Sequence, residues 1–182
     1  MDGCVSAERP DEDAEADEAL TSDFRQGAVL DFELFYRRNH ANVCRALALT
    51  LNDVELAQDA AAEAMTRAYQ RWNTVSKYQN PAGWVYQVGL NWARSRLRQL
   101  LRRPSTPPRA GEDIALEVVS RLDVALDQLF VSHRAVVVLR YYLDWSERQI
   151  AEALKIAPGT VKSRLSRALD RLADLVEEDH GT

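Results

Sequence analysis

The twenty-five residues WSERQIAEALKIAPGTVKSRLSRAL, from Trp145 to Leu169, leave this chain few architectures other than a helical one. Ser146 can cap a first helix, and Gln149 stands three residues on, the spacing of a capping box. Ile150 and Leu154 then face inward at i, i+4. Lys155-Ile156-Ala157 makes a short turn with one apolar plug, and Pro158 suits the first turn of a second helix, where a missing N–H costs nothing. Val161, Leu165, Ala168, Leu169 and Leu172 form the expected buried stripe of that helix. Its opposite side carries Lys162, Ser163, Ser166 and Arg167, a basic, hydroxyl-bearing face of a size that a DNA major groove admits. The pattern is a helix-turn-helix. The plainer alternative is a helical hairpin whose polar face is merely solvated. Arg164 and Arg171 flank the stripe at positions suited to backbone phosphates.

Charge segregation supports a nucleic-acid partner. The formal net charge is −5, but residues 1–30 hold 9 acidic and 2 basic side chains, and residues 31–104 hold 6 and 11. An acidic segment ahead of a basic domain is a footprint that the whole-chain pI hides. No stretch approaches the roughly 20 apolar residues of a membrane helix, and the acidic N-terminus has no signal-like apolar core. Cys4 and Cys44 are the only cysteines, with no Cys/His cluster for zinc. Cytoplasmic residence, without a membrane role or a cofactor, is the expectation.

The chain divides by composition. Residues 1–23 are rich in Asp, Glu and Ala and are expected to be a disordered acidic tail. Apolar-periodic segments follow, through Val29, Leu30, Phe32, Phe35 and Tyr36 and then Val43, Leu47 and Leu51. A long helix is expected from Asp53 to Trp72, with Val54, Ala57, Ala61, Ala64, Ala68 and Trp72 inward. After a break over 73–79, Asn80-Pro81 opens another, reaching about Leu101 with Trp84, Val85, Val88 and Trp92 inward. Three prolines and a glycine over 102–113 mark a linker, and helices are expected at about 117–130 and 132–143. No β-alternating run stands out. The reading is all-α: a tail at 1–23, a helical domain at 24–104, a flexible linker at 105–116 and a helix-turn-helix domain at 117–178.

Three further groups of residues carry chemistry. Arg94, Arg96, Arg98, Arg102 and Arg103 follow one another without a carboxylate. Arg94–Arg98 and Arg98–Arg102 repel at i, i+4, which an anion along that face would offset; an ordinary cationic helix end is the alternative. Just before this run, Lys77, Tyr78, Asn80, Trp84, Tyr86 and Gln87 place aromatics beside polar and cationic groups, as platforms for unpaired bases do. Trp84 and Tyr86 equally suit the core of a small domain. Glu55, Asp59 and Glu63 form an acidic i, i+4 row that suits a basic protein surface, unless Asp59 and Glu63 simply pair with Arg67 and Arg71. His40, His133 and His180 are scattered, and neither a phosphate-cradling loop nor a nucleophile elbow is present. This argues against an enzyme and against a small-molecule substrate.

Taken together, these residues resemble bacterial RNA polymerase sigma factors of the extracytoplasmic-function group. RAVVVLRYYLDWSERQIAEALKIAPGTVKSRLSRALDRL, residues 134–172, is similar to sigma region 4. ELAQDAAAEAMTRAYQRW and NPAGWVYQVGLNWARSRLRQLLRR, residues 55–72 and 80–103, are similar to region 2, less closely. The resemblance implies that Glu55, Asp59 and Glu63 grip core RNA polymerase. It implies that Lys77, Tyr78, Asn80, Gln87, Asn91, Arg94 and Arg98 bind the minus-ten element, where the duplex opens and the non-template strand is captured. It implies that Lys162, Ser163, Ser166 and Arg167, flanked by Arg164 and Arg171, read duplex at the minus-thirty-five element, and that an anti-sigma factor is a further partner. The chain departs from the pattern at Ala62 (usually Gln), Met65 (usually aromatic), Gly89-Leu90 (usually Ala-Arg) and Ser95 (usually Asp). The rival reading is an autonomous helix-turn-helix regulator, whose receiver domain the front half does not resemble.

Overall fold

A computed structural model describes residues 12–102 and 125–180, and side chains over 29–100 and 125–175. The first half is α1 (Glu12–Leu51), α2 (Val54–Gln70), the single turn α3 (Trp72–Val75) and α4 (Pro81–Arg102). The second half is α5 (Val131–Val137), continued as a π-helical turn over Val138–Tyr142, then α6 (Glu147–Leu154) and α7 (Pro158–His180). There is no strand among the described residues. The expected linker at 105–116 lies outside them.

Where two apolar segments were expected, α1 is one continuous helix. It begins at Glu12, so it also takes in Glu12–Asp23 from the acidic segment; residues 1–11 lie outside the described residues. The Glu, Asp and Ala of that segment are compatible with propagation of a helix already nucleated downstream. Val43, Ala46, Leu47 and Thr50 recur at helical spacing and are fully buried. Asn52 ends the helix in the left-handed region, φ 53°, and returns its N–H to Ala48 O at 2.8 Å. Asp53 then caps α2, its carboxylate accepting the Leu56 N–H at 2.8 Å.

Helix α2 buries small side chains, Ala57, Ala60, Ala61, Ala64 and Ala68, with Met65. That surface lets α1 and α4 approach closely. Val54, expected inward, is 43% exposed because it is the first residue of the helix, a turn ahead of Ala57. The helix also stops at Gln70 rather than Trp72. Arg71, at φ −120° and ψ 23°, kinks the chain and restarts it as α3. The kink seats Trp72 against Phe35 (centroids 4.8 Å apart) and Phe32 (5.3 Å), and buries Val75.

In α4 the fully buried apolar side chains are those of Val85, Tyr86, Leu90 and Ala93; Trp84, Val88 and Trp92 are half-buried at the edge of the same core. Tyr86 therefore serves the core, its Oη 2.7 Å from Thr50 Oγ1 of α1. Gly89 accounts for one departure from the family pattern. A Cβ there would meet Leu47 Cδ1 at 2.9 Å and Ala60 O at 3.1 Å.

The capping box of α6 is present in both directions: Gln149 N–H donates to Ser146 Oγ, and Ser146 N–H to Gln149 Oε1 at 2.9 Å. Lys155 supplies the left-handed turn, φ 53°, and Ile156 N–H closes it on Ala151 O at 3.0 Å. Leu126, Leu129, Val137 and Ala168 form a small cluster under α7, lined by Leu165 and Leu172. Leu169 is 40% exposed, a correction to the expected stripe; it lies one step of about 100° around the helix from Ala168, off the covered strip. Arg134 is buried, paired with Asp127 at 3.1 Å and donating to the carbonyls of Asp127 and Leu129.

The two halves share one hydrophobic core. Ala135, Val136, Val138, Leu139, Ile150, Ala151 and Val161 belong to the same buried cluster as Val43, Leu47, Val85, Tyr86 and Leu90. Trp145 meets Tyr86 edge to face at 6.4 Å, and the Asn52 amide donates to the Asp127 carboxylate. At Gly83 a Cβ would stand 3.0 Å from Ala153 Cβ on α6, so the absence of a side chain there sets how closely α4 and α6 approach.

Candidate nucleic-acid interface

The second helix of the helix-turn-helix presents one open face. Lys162, Ser163, Ser166 and Arg167 are all exposed, at i, i+1, i+4 and i+5, while Val161 and Ala168 anchor the opposite side. Pro158 and Gly159 begin the helix on the same exposed surface. Lys162 Nζ lies 3.8 Å from Glu147 Oε2 of α6, an exposed pair that orients the lysine and contributes little energy. Ser163 Oγ donates to Thr160 O at 3.1 Å. Arg171 is exposed one turn beyond Arg167. Arg164 leaves this group: it is half-buried and turns toward α4.

Along α4, Gln87, Asn91, Arg94 and Arg98 make one stripe at i, i+4, i+7 and i+11. Its first three members, with Leu90, wall a cleft of about 190 Å3 closed on the other side by Ser132, Ala135, Leu154, Ile156 and Arg164. Burial lowers the Arg94 pKa most; the Tyr86 phenol opposes this, and Arg164 and Arg98 add to it. Burial likewise lowers that of His133, with Arg164 and Arg167 adding to it. Burial raises the Tyr86 pKa, against the Thr50 hydrogen bond and Arg94. The cleft is thus positive on two opposing walls.

Lys77 and Tyr78 are exposed in the turn between α3 and α4. Asn80 is committed locally: its Oδ1 accepts the Gly83 N–H at 2.8 Å and caps α4. The acidic row on α2 is divided. Glu55 and Asp59 are exposed, and Glu63 is engaged by Arg67 of its own helix at 2.8 Å. The α7 face, the α4 stripe and the α2 row are three separate groups of side chains. Arg94 and Arg164, expected on different domains, are brought to one cleft. Ser132 and the approach through Gly83 carried no sequence signal beyond a glycine early in a helix, where alanine is the better helix former.

The family model described as Sigma-70, region 4 matches residues 120–172. An RNA polymerase sigma-E factor of Streptomyces coelicolor is 33% identical over 161 residues, covering 84% of this chain and 90% of the relative. The ECF RNA polymerase sigma factor SigL of Mycobacterium tuberculosis is 35% identical over 151 residues, covering 76% and 85%. Among solved structures, the sigma factor RpoE of Bartonella quintana, in complex with the anti-sigma factor NepR, aligns with a TM-score of 0.66 at 20% identity, covering 81% of this chain and 97% of that one. CnrH, in complex with the cytosolic domain of CnrY, aligns at 0.61 and 19%, covering 85% and 95%.

Proposed function

The chain belongs to the extracytoplasmic-function group of RNA polymerase sigma factors, and on that premise we propose how its residues divide the work. It binds core RNA polymerase and directs it to promoter DNA. The observation that carries this is similarity to sigma factors over most of the chain, the front half included; a free-standing helix-turn-helix regulator would share only the back.

Lys162, Ser163, Ser166 and Arg167 contact the minus-thirty-five element in the major groove, with Arg171 on flanking phosphate. Their common exposed face on a helix with a buried opposite side supports this. Lys77, Tyr78, Gln87, Asn91, Arg94 and Arg98 serve the minus-ten element, with Asn80 shaping the start of α4 as its cap. Exposed Tyr78 offers a stacking surface and the arginines an electrostatic track. Exposed Glu55 and Asp59, with Glu63 held by Arg67, dock on the polymerase.

A cleft of about 190 Å3 is too small to pass a nucleic-acid strand, so use of Gln87 and Arg94 requires α5–α7 to separate from α4. We assign residues 24–104 to a region 2 unit and 117–178 to a region 4 unit, joined through residues 105–116; Glu12–Asp23 of the acidic segment extends α1 rather than forming a separate tail. Catalysis belongs to the polymerase; this chain supplies no reacting group and works in the cytoplasm with that enzyme. A sigma factor of the same fold was solved with an anti-sigma factor bound, and CnrH, of the same fold, with the cytosolic domain of CnrY; a protein partner of that kind is the expected regulator here.

The test is transcription by core polymerase mixed with the chain on a pool of promoter fragments. Transcripts from discrete start sites are expected, and their absence refutes the reading.

A further inference from the structure

The cleft between the two halves has a composition that DNA binding in the separated state does not explain. Arg94 of α4 and Arg164 of α7 stand on opposite walls. Gln87, Asn91 and Ser132 add neutral donors, Leu90, Ala135, Leu154 and Ile156 supply the apolar remainder, and among the described residues the lining contains no carboxylate. Arg98 lies close enough to Arg94, and Arg167 to His133, to add to the positive field. Packing the halves together thus drives two half-buried guanidiniums toward each other with no counter-charge among the described residues of the lining. An oxyanion between them would reverse the sign of that interaction. It would accept charge-assisted hydrogen bonds from both arginines at once, and the side-chain amides and hydroxyl could complete its shell. Size narrows the ligand. Pockets for drug-sized molecules begin at about 300 Å3, so a cleft of about 190 Å3 suits a small multivalent oxyanion rather than a whole nucleotide.

We propose that this cleft is a binding site for phosphate or pyrophosphate that clamps α4 to α5–α7, with Arg94 and Arg164 as its two jaws. Such an anion favours the packed form by its differential affinity for it, since only there do the jaws converge. The site itself is independent of the sigma-factor reading. Its consequence rests on that reading: a clamped chain withholds Arg94 from the promoter and holds the minus-thirty-five helix against region 2.

The test begins with the full chain alone, without DNA or polymerase. Pyrophosphate, orthophosphate and adenosine triphosphate are titrated at matched ionic strength against sodium chloride, with binding read by calorimetry and backbone hydrogen exchange followed over residues 150–160. Saturable binding of pyrophosphate or orthophosphate is expected, with slowed exchange at the α6–α7 turn. Arg94→Gln and Arg164→Gln should each weaken it by about tenfold, the loss of a charged hydrogen-bond partner. Arg171→Gln, exposed and outside the cleft, should leave it unchanged, and Arg164→Lys should fall between. Circular dichroism checks that each variant is folded. Binding that is absent at matched ionic strength, or equal in the Arg164→Gln and wild-type chains, overturns the site. Adenosine triphosphate binding as tightly as pyrophosphate overturns the size argument. In the second arm, pyrophosphate should weaken binding of the chain to core polymerase and a promoter fragment, without nucleoside triphosphates present, and Arg164→Gln should relieve that effect. Anion binding to the free chain without this competition would refute the clamp's consequence while leaving the site. Failure of the chain to bind polymerase even without anion would refute the sigma-factor reading instead.

Discussion

Substituting Gly83 by alanine sets two physical effects against each other, and the fold decides the sign. Gly83 is buried in the first turn of α4. In isolation, Gly→Ala in a helix is worth up to about 1 kcal/mol of stability. In this structure the new Cβ would stand 3.0 Å from Ala153 Cβ on α6, and 2.9 Å and 3.0 Å from Asn80 Nδ2 and Cγ. The Asn80 side chain cannot simply swing away, because its Oδ1 caps the helix through the Gly83 N–H. Overpacking of this kind typically costs about 1–3 kcal/mol. The balance is a net destabilisation of roughly 0–2 kcal/mol, from the overpacking and propensity figures together. For a chain of this size the melting temperature should fall by about 2–4 °C per kcal/mol. Thermal denaturation by circular dichroism measures it, and hydrogen exchange locates it: exchange should accelerate at residues 150–157 of α6 and its turn. If the two halves did not pack through this contact, the Ala153 clash would be absent and only the local Asn80 contact would offset the propensity gain. A rise in melting temperature with unchanged exchange in α6 would therefore refute the packed arrangement.

Three other outcomes follow from single features. Ser146→Ala removes the side-chain half of the capping box and should cost about 1 kcal/mol, read as a lower melting temperature with the chain still folded. Asp59→Lys, at an exposed position of α2, should weaken binding to core polymerase in a co-sedimentation assay while leaving the melting temperature nearly unchanged; equal binding would remove the acidic row from the docking surface. Tyr86 is fully buried, and burial raises its pKa above the usual 10.0. The folded state therefore holds the phenol proton more tightly than the unfolded chain does. The stability from this group is complete below pH 10 and lost as the pH rises beyond it. Tyr86→Phe should flatten that alkaline loss in melting temperatures taken from pH 8 to pH 11.

The parts of the molecule that sequence made legible are those held by local chemistry. The capping box at Ser146 and Gln149, the turn at Lys155 and the exposed polar side of α7 all follow from residues within a few positions of one another. Much of the alanine face of α2 was readable for the same reason, since one period describes it. What escaped depends on partners distant in sequence. Nothing near Tyr86 announces that its hydroxyl meets Thr50, 36 residues earlier. Arg164 reads as a member of the DNA face until α4 takes up its position and gives it a cleft to turn into. The edges of helices were the other difficulty. Val54 and Leu169 carry the right residue type at nearly the right phase, but no element among the described residues covers them.

The function proposed for the exposed face of α7 is to read a promoter on behalf of the polymerase. Its most direct measurement is transcription by core polymerase and the chain on a randomised upstream promoter library, with the transcribed templates sequenced. The wild-type chain should enrich one upstream motif at a fixed distance from the start site. Lys162→Ala with Arg167→Ala should flatten that enrichment by about 1–3 kcal/mol for each base pair no longer read, while leaving binding to the core enzyme intact. The same upstream motif and start sites from the doubly substituted chain would contradict the account.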